Sequence, residues 1–315
     1  MIWQTAVTLV FPGFAQGLAG RTNRMIAWLV PVFALMIATA WLTSCVWLLL
    51  FVHLASAIDA IVVLRGRDRS AEKQWMLGLI AIGATVGGAV VVGEICVRAF
   101  RIPSSSSMPT LQIGDHVLVN TLARDPHRGD LIVFDYPCDP SRQYISRVVA
   151  LGGESVELRC NELYIDGKKI DDTPVAGDCH YDDFDEDRGE WMEPQPCSLF
   201  RETLGTHTFD TMYREHRTNE PLGNFPRADV PPSCANGGEA IGTIAGSAGS
   251  DECVPQIRYV VPAGYVFVMG DHRDNANDSR AWGALSVDHV IGRVSGIWLS
   301  SGRHGVSSSR IGGVE

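Results

Sequence analysis

Residues 25–64 form a run of forty positions whose only formal charge is Asp59. A helix needs about 20 apolar residues to cross a hydrocarbon core of roughly 30 Å, so this run is long enough for two passes. A break at Thr43 and Ser44 gives spans over 25–42 and 45–64, and a third apolar stretch covers 74–97. Arg21 and Arg24 precede the first span, and Arg65, Arg67, Arg69 and Lys73 follow the second. The turn between them carries no charge, so positive-inside logic puts both basic segments on the cytoplasmic side and everything after Val97 on the other. Residues 1–24 have no charged start ahead of their apolar run, so they read as an interfacial segment rather than a cleaved leader. His53 and Asp59 do not share a helix face, and Asp59 reads as structural. Gly83 and Gly87, at small-xxx-small spacing, suit close helix packing.

The net charge of -10 lies beyond residue 100 and leaves no basic surface, so a nucleic-acid partner is not expected. Cys45 and Cys96 sit in apolar stretches, whereas Cys138, Cys160, Cys179, Cys197, Cys234 and Cys253 lie in the polar part. An even number of widely spaced cysteines without Cys-x-x-Cys fits disulfides in an oxidising compartment better than a metal site. The acidic run at 182–190 lacks a regular calcium loop and reads as solvated. Neither a metal nor another cofactor is expected.

Beyond Ile102 the pattern turns to short alternating runs at 117–120, 131–136, 144–151, 155–158 and 163–165. These predict strands, and Asp166-Gly167 predicts a two-residue hairpin turn of the positive-φ type. Strand patterning resumes at 258–269 and 289–300. The fold expected is N-terminal transmembrane helices followed by a mainly antiparallel β domain. Its core is split into 99–170 and 256–300 around a disulfide-pinned insertion at 171–255, and the tail at 301–315 is expected to be disordered.

Pro103-Ser104-Ser105-Ser106-Ser107-Met108-Pro109-Thr110 follows the third apolar stretch, with prolines stiffening both ends of a serine run. On its own such a run is a linker. Four boxes change that reading: Gly114-Asp115-His116-Val117, Arg128-Gly129-Asp130-Leu131, Tyr144-Ile145-Ser146-Arg147 and the stretch from Gly270-Asp271-His272-Arg273 to Asp278-Ser279-Arg280. In order and spacing they resemble the signature of bacterial type I signal peptidase, the Ser-Lys dyad serine peptidases. The resemblance implies an inner-membrane enzyme, multi-pass here, with its catalytic domain on the periplasmic face, cleaving signal peptides from exported preproteins. Membrane lipids are implied as surroundings, and the protein-export machinery as a further partner.

Mapped by motif, the resemblance makes Ser106 the nucleophile, with Ser107 its rival. The Ser106 amide and the Ser104 hydroxyl become oxyanion donors. Arg147, Asp271, Asp278 and Arg280 fall in the structural boxes, the last two as an ion pair. The departures are at proton handling. The dyad lysine position is Ser146, and the serine that would orient the lysine is Ala276. Lys73, Lys168 and Lys169 are the only lysines, and none is close in sequence. His116 and His272, inside signature boxes, are the candidate substitute bases. The alternative expectation is a catalytically silent relative that binds leader peptides.

Overall fold

The apolar first third folds as helices, the form in which a run with few polar side chains satisfies its own backbone. A computed structural model describes residues 2–38, 45–65, 75–185, 187–217, 243–246 and 257–314. The chain divides into two units, one of residues 1–99, 118–122 and 295–298, the other of 100–117, 123–294 and 299–315.

The first unit contains α1 (Ile2–Val10), α2 (Phe14–Leu18), α3 (Thr22–Ala38), α4 (Cys45–Arg65) and α5 (Trp75–Ile95). Its helices are patterned inside out. Ser56, Ala57, Ala60 and Ala81 are buried, whereas Leu48, Phe51, Leu54, Ile58 and Val62 of α4 and Leu79, Ile80 and Val90 of α5 are exposed. The close approach falls at Gly88, where an added Cβ would collide with the Phe33 ring; Gly83 and Gly87 have nothing near enough to touch one. Asp59 accepts from Gln16 Nε2 at 2.9 Å, Trp28 Nε1 at 3.0 Å and Arg24 at 2.9 Å, ties that bind α2 and α3 to α4. His53 instead contacts the Leu49 carbonyl. All five residues of α2 are buried.

Among the described residues no helix is long and apolar enough to cross a membrane. The side chains described run from Leu48 to Leu64 in α4 and from Leu79 to Val90 in α5. The expected turn at Thr43 and Ser44 and the basic segment at 67–73 lie outside the described residues. The spans at 25–42, 45–64 and 74–97 therefore rest on the sequence. The third also ends sooner than expected, because Val97 opens a strand.

The strands are β1 (Val97–Arg101), β2 (Asp115–Asn120), β3 (Leu131–Asp135), β4 (Gln143–Leu151), β5 (Ser155–Arg159), β6 (Glu162–Ile165) and β7 (Lys168–Lys169). The insertion adds β8 (Asp171–Tyr181), β9 (Phe184–Asp185), β10 (Glu190–Trp191), β11 (Gln195–Leu204), β12 (His207–Arg214) and β13 (Thr243–Gly246). Then come β14 (Ile257–Val260), β15 (Tyr265–Met269), the short helix α6 (Ser279–Trp282), β16 (Leu285–Ser286), β17 (Val290–Gly302), β18 (Gly305–Val306) and β19 (Gly312–Gly313).

The main sheet runs β1-β2-β17-β3-β4-β15-β16, and the described pairings of β3, β4, β15 and β17 are antiparallel. Alternation along β4 sends Val148 to a cluster with Ile132, Phe134 and Trp282, and Val149 to one with Leu163, Tyr259 and Phe267. The predicted hairpin is present: Asp166 and Gly167 have φ of 50° and 75°, and Ile165 faces Lys168. The strand patterning at 258–269 is realised as two strands, interrupted around Pro262.

The insertion is more regular than its composition suggests. Strands β12, β11 and β8 form an antiparallel sheet, and Cys179–Cys197 joins β8 to β11. Cys138 and Cys160 are also disulfide-bonded, Cys96 is free, and Cys234 and Cys253 lie outside the described residues. The tail from Ser301 is ordered, contrary to expectation. Strands β18 and β19 pair with β17, and Arg303 and His304 grip Asp182 at 2.9 and 3.0 Å. Arg310 meets Asp115 at 2.6 Å. Asp115 is fully buried, and a buried carboxylate needs a cation, which the tail supplies.

Candidate active site

The serine run sits in a closed loop. The Ile102 amide donates to Asp115 and the Gly114 amide to Ile102, so the loop's two ends meet. Gly114 has φ of 91° and lies so close to the Ser301 carbonyl that no Cβ fits there. Met108, Leu111 and Ile113 turn inward, and the Met108-Pro109 peptide is cis.

Burial then separates the four serines. Ser105 and Ser107 are 3% and 2% exposed, whereas Ser104 and Ser106 are only partly buried. Ser107 donates to the Ile145 carbonyl at 3.3 Å, and Ser105 accepts from Asn275 Nδ2 at 2.8 Å. Ser104 Oγ and Ser106 Oγ lie 3.2 Å apart. Both line a groove of about 730 Å³ whose walls also include Tyr144, Ser146, Asp183 and Ala276. The nucleophile candidate, its neighbouring hydroxyl and the two altered positions thus share one cavity.

Three buried ion pairs lie in and beside the boxes. Arg147 grips Asp271 through Nε at 2.9 Å and a terminal nitrogen at 2.7 Å, donates to the Gly129 carbonyl at 2.9 Å, and stacks 3.8 Å from the Phe209 ring centre. Thr110, four residues past Ser106, also donates to Asp271. Asp278 takes Arg280 at 2.8 and 2.6 Å and accepts from the Gly270 amide at 2.9 Å. A Cβ at Gly270 would strike the Ala276 methyl and lie 2.6 Å from the Ser106 carbonyl oxygen. Arg273 pairs with Glu202 of β11 at 2.6 Å. Burial opposes the charge on Arg273, but Glu202, Tyr213 and Asp271 together outweigh it and raise the guanidinium's pKa.

Neither candidate substitute base lines the groove. His116 is on β2. His272 is fully buried, with Nδ1 3.1 Å from the Ser105 carbonyl oxygen, so the ring serves the serine loop's backbone. Its Nε2 lies 3.2 Å from Asp274 Oδ1, without hydrogen-bond alignment. Burial alone would raise the Asp274 carboxyl, yet His272 and the Arg214 amide outweigh it and hold the group below the usual carboxylate range. Lys169 is no substitute either. Glu162 holds its ammonium above the ordinary value, and a general base needs the reverse. Lys73 lies outside the described residues.

Reasoning from the sequence overlooked Thr110, Glu202, Arg214 and Asn275. Thr110, at the end of the serine motif, and Asn275, inside a recognised box, carried a signal; Glu202 and Arg214 come from separate elements that folding brings to them.

The sequence model of the family "Signal peptidase, peptidase S26" matches residues 73–299. The signal peptidase I of Aquifex aeolicus is 32% identical over 221 residues, spanning 66% of this chain and 78% of that protein. The signal peptidase I of Pseudomonas fluorescens is 28% identical over 240 residues, 67% and 68% of the two chains. A crystal structure of a signal peptidase I from Enterococcus faecalis V583 aligns at 20% identity over 54% of this chain and 97% of that one, with a TM-score of 0.25, too low to carry argument. With the family's match spanning most of the chain and including the serine loop and every box around it, this protein belongs to the signal peptidase family, peptidase S26.

Proposed function

We propose that this protein is a membrane-bound serine endopeptidase that removes signal peptides from exported preproteins, with Ser106 as nucleophile. The observation that carries the reading is the pair of hydroxyls on the groove: Ser106 Oγ, partly exposed, with Ser104 Oγ 3.2 Å away. In acyl transfer the Ser106 hydroxyl attacks the scissile carbonyl, and the Ser106 amide and Ser104 hydroxyl stabilise the oxyanion that develops. Preference for small residues before the scissile bond follows from the family alone. Ser146 stands at the general-base position, and a hydroxyl takes a proton poorly, so wild-type turnover is expected to be slow.

The membrane setting is part of the proposal. Apolar runs at 25–42, 45–64 and 74–97 are long enough to span, and basic residues flank the first two. The inside-out pattern of α4 and α5 supports it, since large apolar side chains face outward and small ones inward, as a lipid solvent favours. The β unit then lies on the outer face of the inner membrane, where its disulfides form and preproteins emerge from the export machinery.

A second reading rests on a separate observation. Among the described residues lining the groove, the charged groups are Arg101, Arg142 and Asp183, with no lysine or histidine. A silent relative that captures leader peptides would look the same. Purified full-length protein in detergent, incubated with a preprotein, separates the two. Cleavage that Ser106→Ala abolishes supports the enzyme; cleavage that survives Ser106→Ala refutes the assignment. An inert wild type that still binds the leader peptide establishes the second reading.

A further inference from the structure

The insertion is bonded to the box at 271–275, which in turn holds the loop that carries the serines. The Met212 amide of β12 donates to the Asp271 carbonyl and the Arg273 amide donates to Met212, both at 2.8 Å, so β12 runs beside the box at 271–274. Arg214, exposed at the end of β12, gives its amide to both Asp274 carboxylate oxygens at 3.1 and 2.9 Å, and its guanidinium to Asn275 Oδ1 at 2.9 Å. From there two short routes lead inward. Asn275 Nδ2 donates to Ser105 Oγ at 2.8 Å. Asp274 Oδ1 lies 3.2 Å from Nε2 of the buried His272 ring, whose Nδ1 meets the Ser105 carbonyl, while the His272 amide donates to the Ser106 carbonyl at 3.1 Å. Tyr181 of β8 packs edge-on against the same ring at 5.0 Å.

We propose that the insertion positions Ser106 from behind by two routes, one from the Arg214 guanidinium through Asn275 to Ser105 and one from the Arg214 amide through Asp274 to His272, a positioning residue. Every contact in this chain ends on Ser105 or on the Ser106 carbonyl, leaving the Ser106 hydroxyl to the groove. Insertion strands β8 and β12 therefore act on the nucleophile from behind, without meeting the substrate. The catalytic part of this inference rests on the reading of Ser106 given above; the structural part does not, and the test uses that difference.

Hydrogen–deuterium exchange of the full-length protein in detergent reads the loop directly, whether or not it cleaves anything. Arg214→Ala and His272→Ala are each expected to speed exchange across 103–111 by roughly threefold to tenfold, the effect of losing one hydrogen bond, with 131–135 unchanged. His272→Asn, which returns one N–H toward the Ser105 carbonyl, should recover most of that protection. In the Ser146→Lys/Ala276→Ser background, Arg214→Ala should lower kcat at unchanged KM, a split that general destabilisation does not produce. Exchange at 103–111 that ignores Arg214→Ala, or acceleration shared equally by 131–135, overturns the proposal. Should His272→Ala fail to fold, Arg214→Ala on the surface carries the test alone. Altered exchange in a protein that never cleaves sinks the enzyme reading and leaves the positioning intact.

Discussion

The two sides of the groove are built to different standards. On the nucleophile side, Asp271, Asp278, Arg147 and Arg280 are buried and paired, and Ser105 is held by Asn275 and His272. On the other side stand Ser146 and Ala276, short and uncharged. The difference has a physical reason. A buried lysine pays a desolvation penalty, so a serine at such a position spares the fold that cost. Removing one partner of Arg147–Asp271 would strand a bare charge in the interior, a loss of about 3–5 kcal/mol.

The strongest way to break the comparison is to fill the poorer side. Ser146→Lys with Ala276→Ser should raise preprotein cleavage by roughly 10²–10⁴, the usual contribution of general acid–base catalysis, read as kcat/KM. No gain would mean that the missing groups are not what separates the two sides. Asp271→Ala, on the well-built side, should cost about 3–5 kcal/mol by urea unfolding, because Arg147 is left buried without its partner. A loss below about 1 kcal/mol, as for an exposed pair, would remove the contrast. In the double-substituted background, Ser104→Ala should lower kcat by roughly 10²–10³, the effect of one oxyanion donor.

The smallest effect concerns acid. The Asp274 carboxyl is held below its ordinary range in the folded protein, so the stability it adds is complete above the unfolded value of about 3.9. That stability is lost as pH falls through the lowered folded value. Asp274→Asn should therefore flatten the decline in urea midpoint below about pH 4. An unchanged slope would show that the contact to His272 contributes little.

The sheet core was legible because apolar alternation is a local property. Val148 and Val149 face opposite clusters as their register predicts, and Asp166-Gly167 announced its turn through residues that accept positive φ. The disulfide pinning of the insertion was legible, but its strands were not. Its strands are half exposed and rich in polar residues, and their order comes from pairing, Cys179–Cys197 and Arg273–Glu202. The tail misled for the same reason: Arg310 has no local signal, and its partner Asp115 lies 195 residues away. At the site, the family resemblance implied Ser106 by its place between the two prolines, and in the structure Ser107 is buried while Ser106 is partly exposed. What spacing could not give was the direction of the His272 ring, which depends on contacts from distant elements.

The most direct test is a side-by-side comparison of Ser106→Ala and Ser107→Ala in the Ser146→Lys/Ala276→Ser background, assayed for cleavage of one preprotein. Loss of turnover in the first variant, with the second still cutting at a comparable rate, is the predicted result. Turnover that survives at Ser106→Ala, or disappears only at Ser107→Ala, would contradict the assignment of Ser106 as the attacking hydroxyl.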